Sequence, residues 1–525
     1  MTIIISNHIF FDFYSSPART NGALLDYLSE LIRKEHNILL LDLHEGNKKN
    51  TVFDKIPIHI GEHTKTDGTG YSFFKKYYQF GKLDKIYKLA NHGGIPDIIL
   101  ISSFAFCYFD GFKKTVDAFR SVFPDAFIIA GGGGPSSAPD YYLQNSAIDL
   151  VVQGAAEQIL SQIVSSLPSE REQLRGRIIT NNIENYEFNP FIAYNKNIER
   201  IQLQLTRGCP LKCTYCSISL TAGKNFLKTD SNKIVSYIDK YVEGRIKHIA
   251  FEDDNLTCDK EYLYKTITII KKKYPDCTIS FENGIDFRTL DDAVIEFLQK
   301  NNISQWNLSL SSANNSTLNK LGRFYRLDNF EETLDKVIKT GKTVIVYFIS
   351  GLPGDTVENI LKTIFFLSQK CLLLGISNFY PVPNTEIVDK YGIYDIIPDN
   401  AKGSSFMQYG ECSSKELITF FMISRFVNSI KEQRLNDILK PHDLIESGKS
   451  TVVINDRNKV TITGIVISIR MKKIVSLVKK SSDEYIISPY NLDSFIIDKF
   501  FDFIYNEYIV NLYNEKIYGR MIKVL

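Results

Sequence analysis

Short β-branched runs alternate with helix-like stretches twice along this chain, and that alternation limits the folds open to it. The first series places strands at Ile3–Ser6, Ile38–Leu43, Asp97–Ser102, Ala126–Ala130 and Ile148–Val152, with helices such as Gly22–Lys34 and Gly111–Val122 between them. Near-continuous apolar strands are buried on both faces, so a parallel, doubly wound α/β sheet is expected. The second series has strands at Ile201–Leu205, Ile246–Phe251, Thr278–Asn283, Trp306–Leu310, Thr343–Ser350 and Gly375–Tyr380. Helices are expected at Ser231–Val242, Lys260–Lys273, Leu290–Asn301 and Phe330–Thr340. Both layouts hold ligands at the carboxyl ends of their strands.

Immediately after Leu205 comes Thr206-Arg207-Gly208-Cys209-Pro-Leu-Lys-Cys213-Thr-Tyr215-Cys216. Three thiolates at this spacing can hold three irons of a [4Fe–4S] cube and leave the fourth open. A zinc site is the alternative, but it normally closes with four ligands, and no nearby C-x2-C partner follows. A disulfide framework fits poorly, because eight cysteines in 525 residues is sparse. The remaining Cys107, Cys258, Cys277, Cys371 and Cys412 have no metal-type spacing and read as small buried hydrophobes.

The length suits about three domains. With 62 basic and 60 acidic residues the charge is +2, which asks for no nucleic acid. The start, Met1-Thr-Ile-Ile-Ile-Ser-Asn7, reads as a strand and not a signal peptide. No apolar run reaches the ~18 residues of a membrane span. A cytoplasmic location is expected.

Other strand ends carry glycine or polar groups. In the first series these are Ser102-Ser103-Phe104, Gly131-Gly132-Gly133-Gly134-Pro135 and Asp149-Leu-Val-Val-Gln-Gly154-Ala-Ala-Glu157. A tight turn in a generic flavodoxin-like domain would also account for the glycines. In the second they are Phe251-Glu252-Asp253-Asp254-Asn255, Ser309-Leu-Ser311-Ser312, Gly351-Leu-Pro353-Gly354-Asp-Thr and Tyr380-Pro-Val-Pro-Asn384-Thr. The acidic run can equally be a helix N-cap. Glycines allow close backbone approach and Pro353 stiffens its turn.

The cysteine motif with Tyr215 resembles the radical S-adenosylmethionine (SAM) superfamily. The upstream glycine and D-x-V-V-x-G set resembles the cobalamin-binding domain that precedes many such enzymes, and the G-L-P-G-D-T and Y-P-x-P turns are similar to theirs. The resemblance covers about residues 90–390. It implies an N-terminal Rossmann/flavodoxin-like cobalamin-binding domain (1–165), a connector (166–198), a partial (β/α)6 radical SAM barrel (199–410) and a smaller α+β substrate or cap domain (411–525). It implies Cys209, Cys213 and Cys216 as cluster ligands. SAM contacts are implied for Tyr215, Glu252, Asp253, Ser311, Arg323, Gly351 and Pro353, and cobalamin contacts for Ser102, Ser103, Gly131, Gly132, Gly133, Gly154 and Glu157. Two departures stand out. The D-x-H-x-x-G motif of cobalamin domains is missing; Asp42-Leu-His44-Glu-Gly46 is one residue short, so His44 is taken as a surface or strand-end histidine. Ser311-Ser312 stands where relatives carry an acid.

The implied activity is C-methylation of an unactivated carbon in a small-molecule or natural-product substrate, with methyl from one SAM and a radical from a second. A flavodoxin or ferredoxin would supply electrons. Oxidative cyclisation or rearrangement with the same cofactors is the alternative, and a non-catalytic cobalamin carrier or sensor is another. Methylthiotransferases use further N-terminal cysteines, whereas only Cys107 precedes the triad here.

Overall fold

The computed structural model describes residues 1–12, 78–90, 95–157, 159–181, 190–223, 226–242, 244–431 and 492–503, with shorter pieces at 28, 32–33, 35–44 and 49–51 and the strands between 450 and 489. Six parallel strands form the first sheet, in the order Asn37–Leu41, Thr2–Ser6, Ile98–Ser102, Phe127–Gly131, Leu150–Gln153 and Arg177–Thr180. The period-two geometry of a strand sends alternate side chains to opposite faces. Ile4, Ile99 and Ile128 pack with Phe112, Val116 and Phe119 of the helix Phe109–Val122. Ile3, Ile5, Leu100 and Ile129 pack with Ile163, Val164 and Leu167 of the helix Leu160–Leu174. Both faces are therefore covered, as a sheet with unbroken apolar strands requires.

The connector expected over 166–198 is corrected. The helix Leu160–Leu174 crosses its boundary, and the strand Arg177–Thr180 extends the first sheet. The strand Phe191–Asn195 pairs antiparallel with Arg200–Gln204 of the second unit. Both strands are short and half-exposed edge strands, so they lack the apolar run that marks a central strand.

In the second unit the parallel strands Arg200–Gln204, His248–Phe251 and Thr278–Phe281 form one group. Gln305–Ser311, Thr343–Ser350 and Leu373–Asn378 form another. Single bridges, Ile279 to Ile303 and Ile285 to Leu308, join the groups into a six-stranded partial barrel. Its helices close the outside through one continuous core that includes Ile249, Leu263, Leu298, Trp306, Phe330 and Ile364.

A separate unit starting at 411 is also corrected. The helix Ser414–Lys431 contributes Leu417, Ile418, Phe420 and Ile423 to the barrel core. Its Asn428 side chain donates to the Leu374 carbonyl at 2.8 Å and accepts from the Leu374 N–H at 2.7 Å. Asn428 thus satisfies backbone groups that the edge strand Leu373–Asn378 would otherwise leave unpaired. The helix Ser494–Phe503 returns to the same core, with Phe503 stacked on Phe365 at 4.2 Å. Between these helices lies a four-stranded antiparallel sheet, Ser450–Asn455, Thr463–Ser468, Lys473–Lys479 and Tyr485–Pro489. Most of the helix expected at Gly22–Lys34 lies outside the described residues.

The carboxyl edges of sheet and barrel meet. Asn384 donates to the Ser137 carbonyl at 2.9 Å, and buried Lys402 donates to the Phe11 carbonyl at 3.3 Å. Arg207 forms an ion pair with Glu157. Asn384, at φ +62°, keeps the turn that a glycine would otherwise serve. Among the described residues no helix is long and apolar enough to cross a membrane.

Candidate active site

The three-cysteine loop leaves the strand Arg200–Gln204 at the barrel mouth and is held by the next strand's end. Asp253 Oδ1 accepts from the Leu205 N–H (3.0 Å), the Thr206 N–H (2.6 Å) and the Thr206 hydroxyl (2.6 Å). Asp254 accepts from the Gly208 N–H at 2.9 Å, and the Asn255 amide donates to Cys209 Sγ at 3.5 Å. On the loop's far side the Thr214 N–H donates to the Leu321 carbonyl at 3.1 Å, and the Ile387 N–H to the Thr214 carbonyl at 3.0 Å. Gly322 permits that approach: at φ +71°, a Cβ there would stand 2.7 Å from the Lys212 carbonyl oxygen. Three consecutive polar residues after one strand, Asp253, Asp254 and Asn255, thus organise the loop.

Burial raises the thiol pKa of Cys209 and pushes Cys216 up to about 11, with the neighbouring cysteines adding to the rise. Thiols kept neutral by burial and by each other become thiolates when a metal's positive charge sits among them. Among the described residues no three His, Cys, Asp or Glu converge as ligands of a single ion would; three corners of a cube do not require them to. The donor set, three sulfurs on one pinned loop, fits such a cluster.

Beside Cys213 lies a second polar group. Arg323 is only 4% exposed. Its Nη1 lies 3.8 Å from Cys213 Sγ and 3.4 Å from the Tyr215 hydroxyl, and its Nη2 donates to the Ser309 carbonyl at 3.2 Å. Burial works against the guanidinium charge, yet the Tyr215, Tyr325, Cys213 and Asp286 surroundings outweigh it and raise the pKa. Arg323 Nε is buried without a partner. The Tyr215 hydroxyl also meets Ser311 Oγ at 3.0 Å. Ser311 is 2% exposed and holds φ +68° at a bulge in its strand. A buried serine in the left-handed region marks backbone strain of the kind found at ligand clamps. Together these groups form a compact donor site suited to a carboxylate.

Between barrel mouth and sheet edge lies a cavity of about 380 Å³. Ser102, Gly132 and Gly133 face it from the sheet, and Gln202, Arg207, Glu252 and Asp254 from the barrel. The half-exposed aromatics Phe104 and Tyr380 stand at it from opposite sides. Glu252 accepts from the Gln202 amide at 2.7 Å, and burial raises its pKa. A smaller cavity of about 70 Å³ adjoins the large one, sharing Ser102, Gly132 and Arg207 with it; Gly131, Gly154 and Glu157 also line it.

Several expected contacts are redirected. Asp253 is fully buried and clamps backbone, so it does not face a cavity. Ser103 turns inward to the Tyr142 hydroxyl at 2.8 Å. A Cβ on Gly132 would stand 2.5 Å from the Ser103 carbonyl oxygen, and one on Gly133 2.4 Å from that of Phe104. These two glycines serve packing within the protein, whereas at Gly131 the nearest atom to a Cβ would be 3.9 Å away. Gly351 packs against Leu417 and Pro353 against Gly410, while Leu352 between them joins a cluster with Tyr215 of the cysteine loop. His44 is at a strand end but buried; its Nε2 donates to the His8 carbonyl at 2.7 Å and its Nδ1 accepts from the Asn7 amide at 3.4 Å. Of the other cysteines, Cys107, Cys277 and Cys412 are buried, Cys258 is half-buried and Cys371 is exposed. Arg207, Asp254, Asn255 and Gln202 were not singled out by sequence; only their position beside the motifs signalled them.

Residues 203–367 match the family model described as the Radical SAM superfamily. The chain is 23% identical over 370 residues to "Uncharacterized methyltransferase PH0819" of Pyrococcus horikoshii, covering 66% of this chain and 72% of that protein. Of a threonylcarbamoyladenosine tRNA methylthiotransferase of Bacillus subtilis, 22% identical, the chain spans 60%. Among solved structures, the fold is similar to the radical SAM methyltransferase TsrM of Kitasatospora setae, at a TM-score of 0.56 and 13% identity over 75% of this chain and 76% of that one. It is also similar to the cobalamin-dependent radical SAM enzyme OxsB, at a TM-score of 0.57 and 13% identity over 84% and 69%.

Proposed function

Because residues 203–367 of this chain are a radical SAM domain, we propose that the protein is a cobalamin-dependent radical SAM methyltransferase acting on a carbon of a small molecule. One observation carries the reading. The pinned cysteine loop and the glycine-bearing edge of the parallel sheet flank a single 380 Å³ cavity, to which both units contribute walls. When bound, the cluster and SAM supply radical chemistry, and a corrinoid supplies a transferable methyl group.

The chain's own residues set the stage for this. Cys209, Cys213 and Cys216 hold three irons, and Asp253, Asp254 and Asn255 keep their loop in one shape. Arg323, with Ser311 and Tyr215, receives the carboxylate of SAM. Ser102 and Gly131 leave room for a corrinoid at the sheet edge. Glu252, held by Gln202, offers an acceptor to a donor group in the large cavity. The aromatics Phe104 and Tyr380 exclude water on either side of it, which protects a reactive intermediate.

Methyl-labelled SAM decides the matter. Anaerobically reconstituted protein, given cobalamin, a flavodoxin or ferredoxin reductant and the true substrate, should place the label on carbon and release 5′-deoxyadenosine. Release of 5′-deoxyadenosine with product but no label would sink methyl transfer in favour of cyclisation or rearrangement.

A further inference from the structure

Two of the groups that receive the carboxylate in the reading above, Ser311 and Arg323, stand on either side of one short segment. Between them lies the helix Asn315–Lys320, six residues long. A helix of that length is marginal by itself, so contacts from outside must set its place beside the cysteine loop. That place matters. The Leu321 carbonyl at its end accepts from the Thr214 N–H at 3.1 Å, and Arg323 follows two residues later.

The contacts come from the turn Gly351-Leu352-Pro353-Gly354-Asp355-Thr356. The Thr317 hydroxyl donates to Asp355 Oδ1 at 3.0 Å, with both residues buried. The same oxygen accepts from the Thr356 N–H at 3.2 Å, so its own turn fixes the carboxylate. Burial raises the Asp355 pKa, and the Thr317 hydrogen bond is foremost among the groups opposing that rise. At the helix's other end the Lys320 ammonium donates to the Gly354 carbonyl at 2.9 Å. Gly354 permits this approach: at φ +77°, a Cβ there would stand 3.0 Å from Lys320 Nζ. Leu352, between the two ties, packs in one cluster with Leu321 and Tyr215. The Asn314 side chain caps the helix by accepting from the Thr317 N–H at 3.0 Å, and it donates to Asn359 at 2.9 Å. Neither Thr317 nor Asp355 lines the large cavity.

We propose that Asp355 and Thr317 are positioning residues for SAM: their hydrogen bond sets the helix Asn315–Lys320 so that Arg323 meets the carboxylate. The inference rests on the assignment of Arg323 to that carboxylate and adds how the guanidinium is held in place. It also gives the turn at 351–356 a task that does not require it to touch SAM.

The test uses the full chain, reconstituted anaerobically with iron and sulfide. SAM dissociation constants are read by calorimetry or equilibrium dialysis, with no turnover needed. Thr317→Val keeps the shape of the side chain and removes the donor. It should weaken SAM binding about fivefold or more, within the range of couplings between neighbouring groups, with iron content at the wild-type level. Thr317→Ser should restore the affinity. In an Arg323→Met background Thr317→Val should cost less than about twofold further, since it acts through the guanidinium. Lys320→Met removes the second tie at an exposed residue and should weaken SAM about two- to threefold; it is read in place of Thr317→Val if that variant loads no iron. Wild-type SAM affinity in the variant read, with a lower melting temperature, marks a merely structural bond and overturns the inference while the carboxylate reading survives. Losses from Thr317→Val and Arg323→Met that multiply overturn it too. An Arg323→Met protein that binds SAM as wild type does overturns both.

Discussion

Replacing Asp253 by asparagine should stabilise the cluster-free protein increasingly as pH rises from 4 to 7. Asp253 is completely buried, and burial raises its pKa to about 7 against its three hydrogen-bond donors, from a usual value of 3.8. The raised value means that the folded protein holds the proton where the unfolded chain has released it. The contribution to stability is therefore full below pH 3.8 and is lost as pH climbs through 7. A rise of about three units corresponds to about 4 kcal/mol, accumulating at about 1.4 kcal/mol per pH unit. Asparagine keeps an acceptor for Leu205 and Thr206 and carries no charge to bury. Its amide nitrogen replaces Oδ2, which has no partner in the wild type. For a barrel of this size the difference in melting temperature, Asp253→Asn minus wild type, should widen by roughly 3–5 °C per pH unit between 4 and 7 and level off above. Asp253→Ala strands three donors and should lie about 3 kcal/mol below the asparagine variant at every pH. Differential scanning fluorimetry across buffers reads both. A difference that stays flat with pH, or an asparagine variant as weak as the alanine one, would falsify this account of the clamp.

Four further outcomes are expected. Cys213→Ala should lose the cubane EPR signal after anaerobic reconstitution and reduction; a full-strength signal would leave the three-thiolate assignment without support. Arg323→Met should weaken SAM binding by about 10–100-fold, since a charge-assisted contact to a carboxylate is removed, and unchanged affinity in calorimetry would place the carboxylate elsewhere. Gly132→Ala, which forces a side chain at φ +98° and 2.5 Å from a carbonyl oxygen, should cost about 3 kcal/mol, seen as a lower first unfolding transition. Asn428→Ala removes two hydrogen bonds to Leu374, should cost about 2 kcal/mol, and should speed amide exchange at Leu374; protection equal to wild type would refute the edge-sealing role.

The ladder of strands was legible because buried parallel strands are written as apolar runs, and each of the central ones lies within a few residues of its sequence-based position. Edge strands escaped notice for the opposite reason. Arg177–Thr180 is half solvated, and its apolar signal is only the pair Ile178-Ile179, one packed on each face of the sheet. The cysteine loop was equally legible, since metal ligands must cluster and their spacing is local. The glycine run also has a packing role that sequence did not reveal: Gly132 and Gly133 accommodate Ser103 and Phe104, neighbours some thirty residues away in sequence.

Local order in the chain was enough to declare two α/β units, a thiolate trio and the strand ends where chemistry gathers, because periodicity and ligand spacing act over a few residues. Tertiary structure alone decided which acid clamps and which acid faces a cavity. Adjacent Glu252 and Asp253 look alike in sequence, but the pleat and turn send one to the cavity wall and bury the other. It alone also brought Glu157 to Arg207 and left one oxygen stranded, since that contact joins residues fifty positions apart and no short-range pattern encodes it.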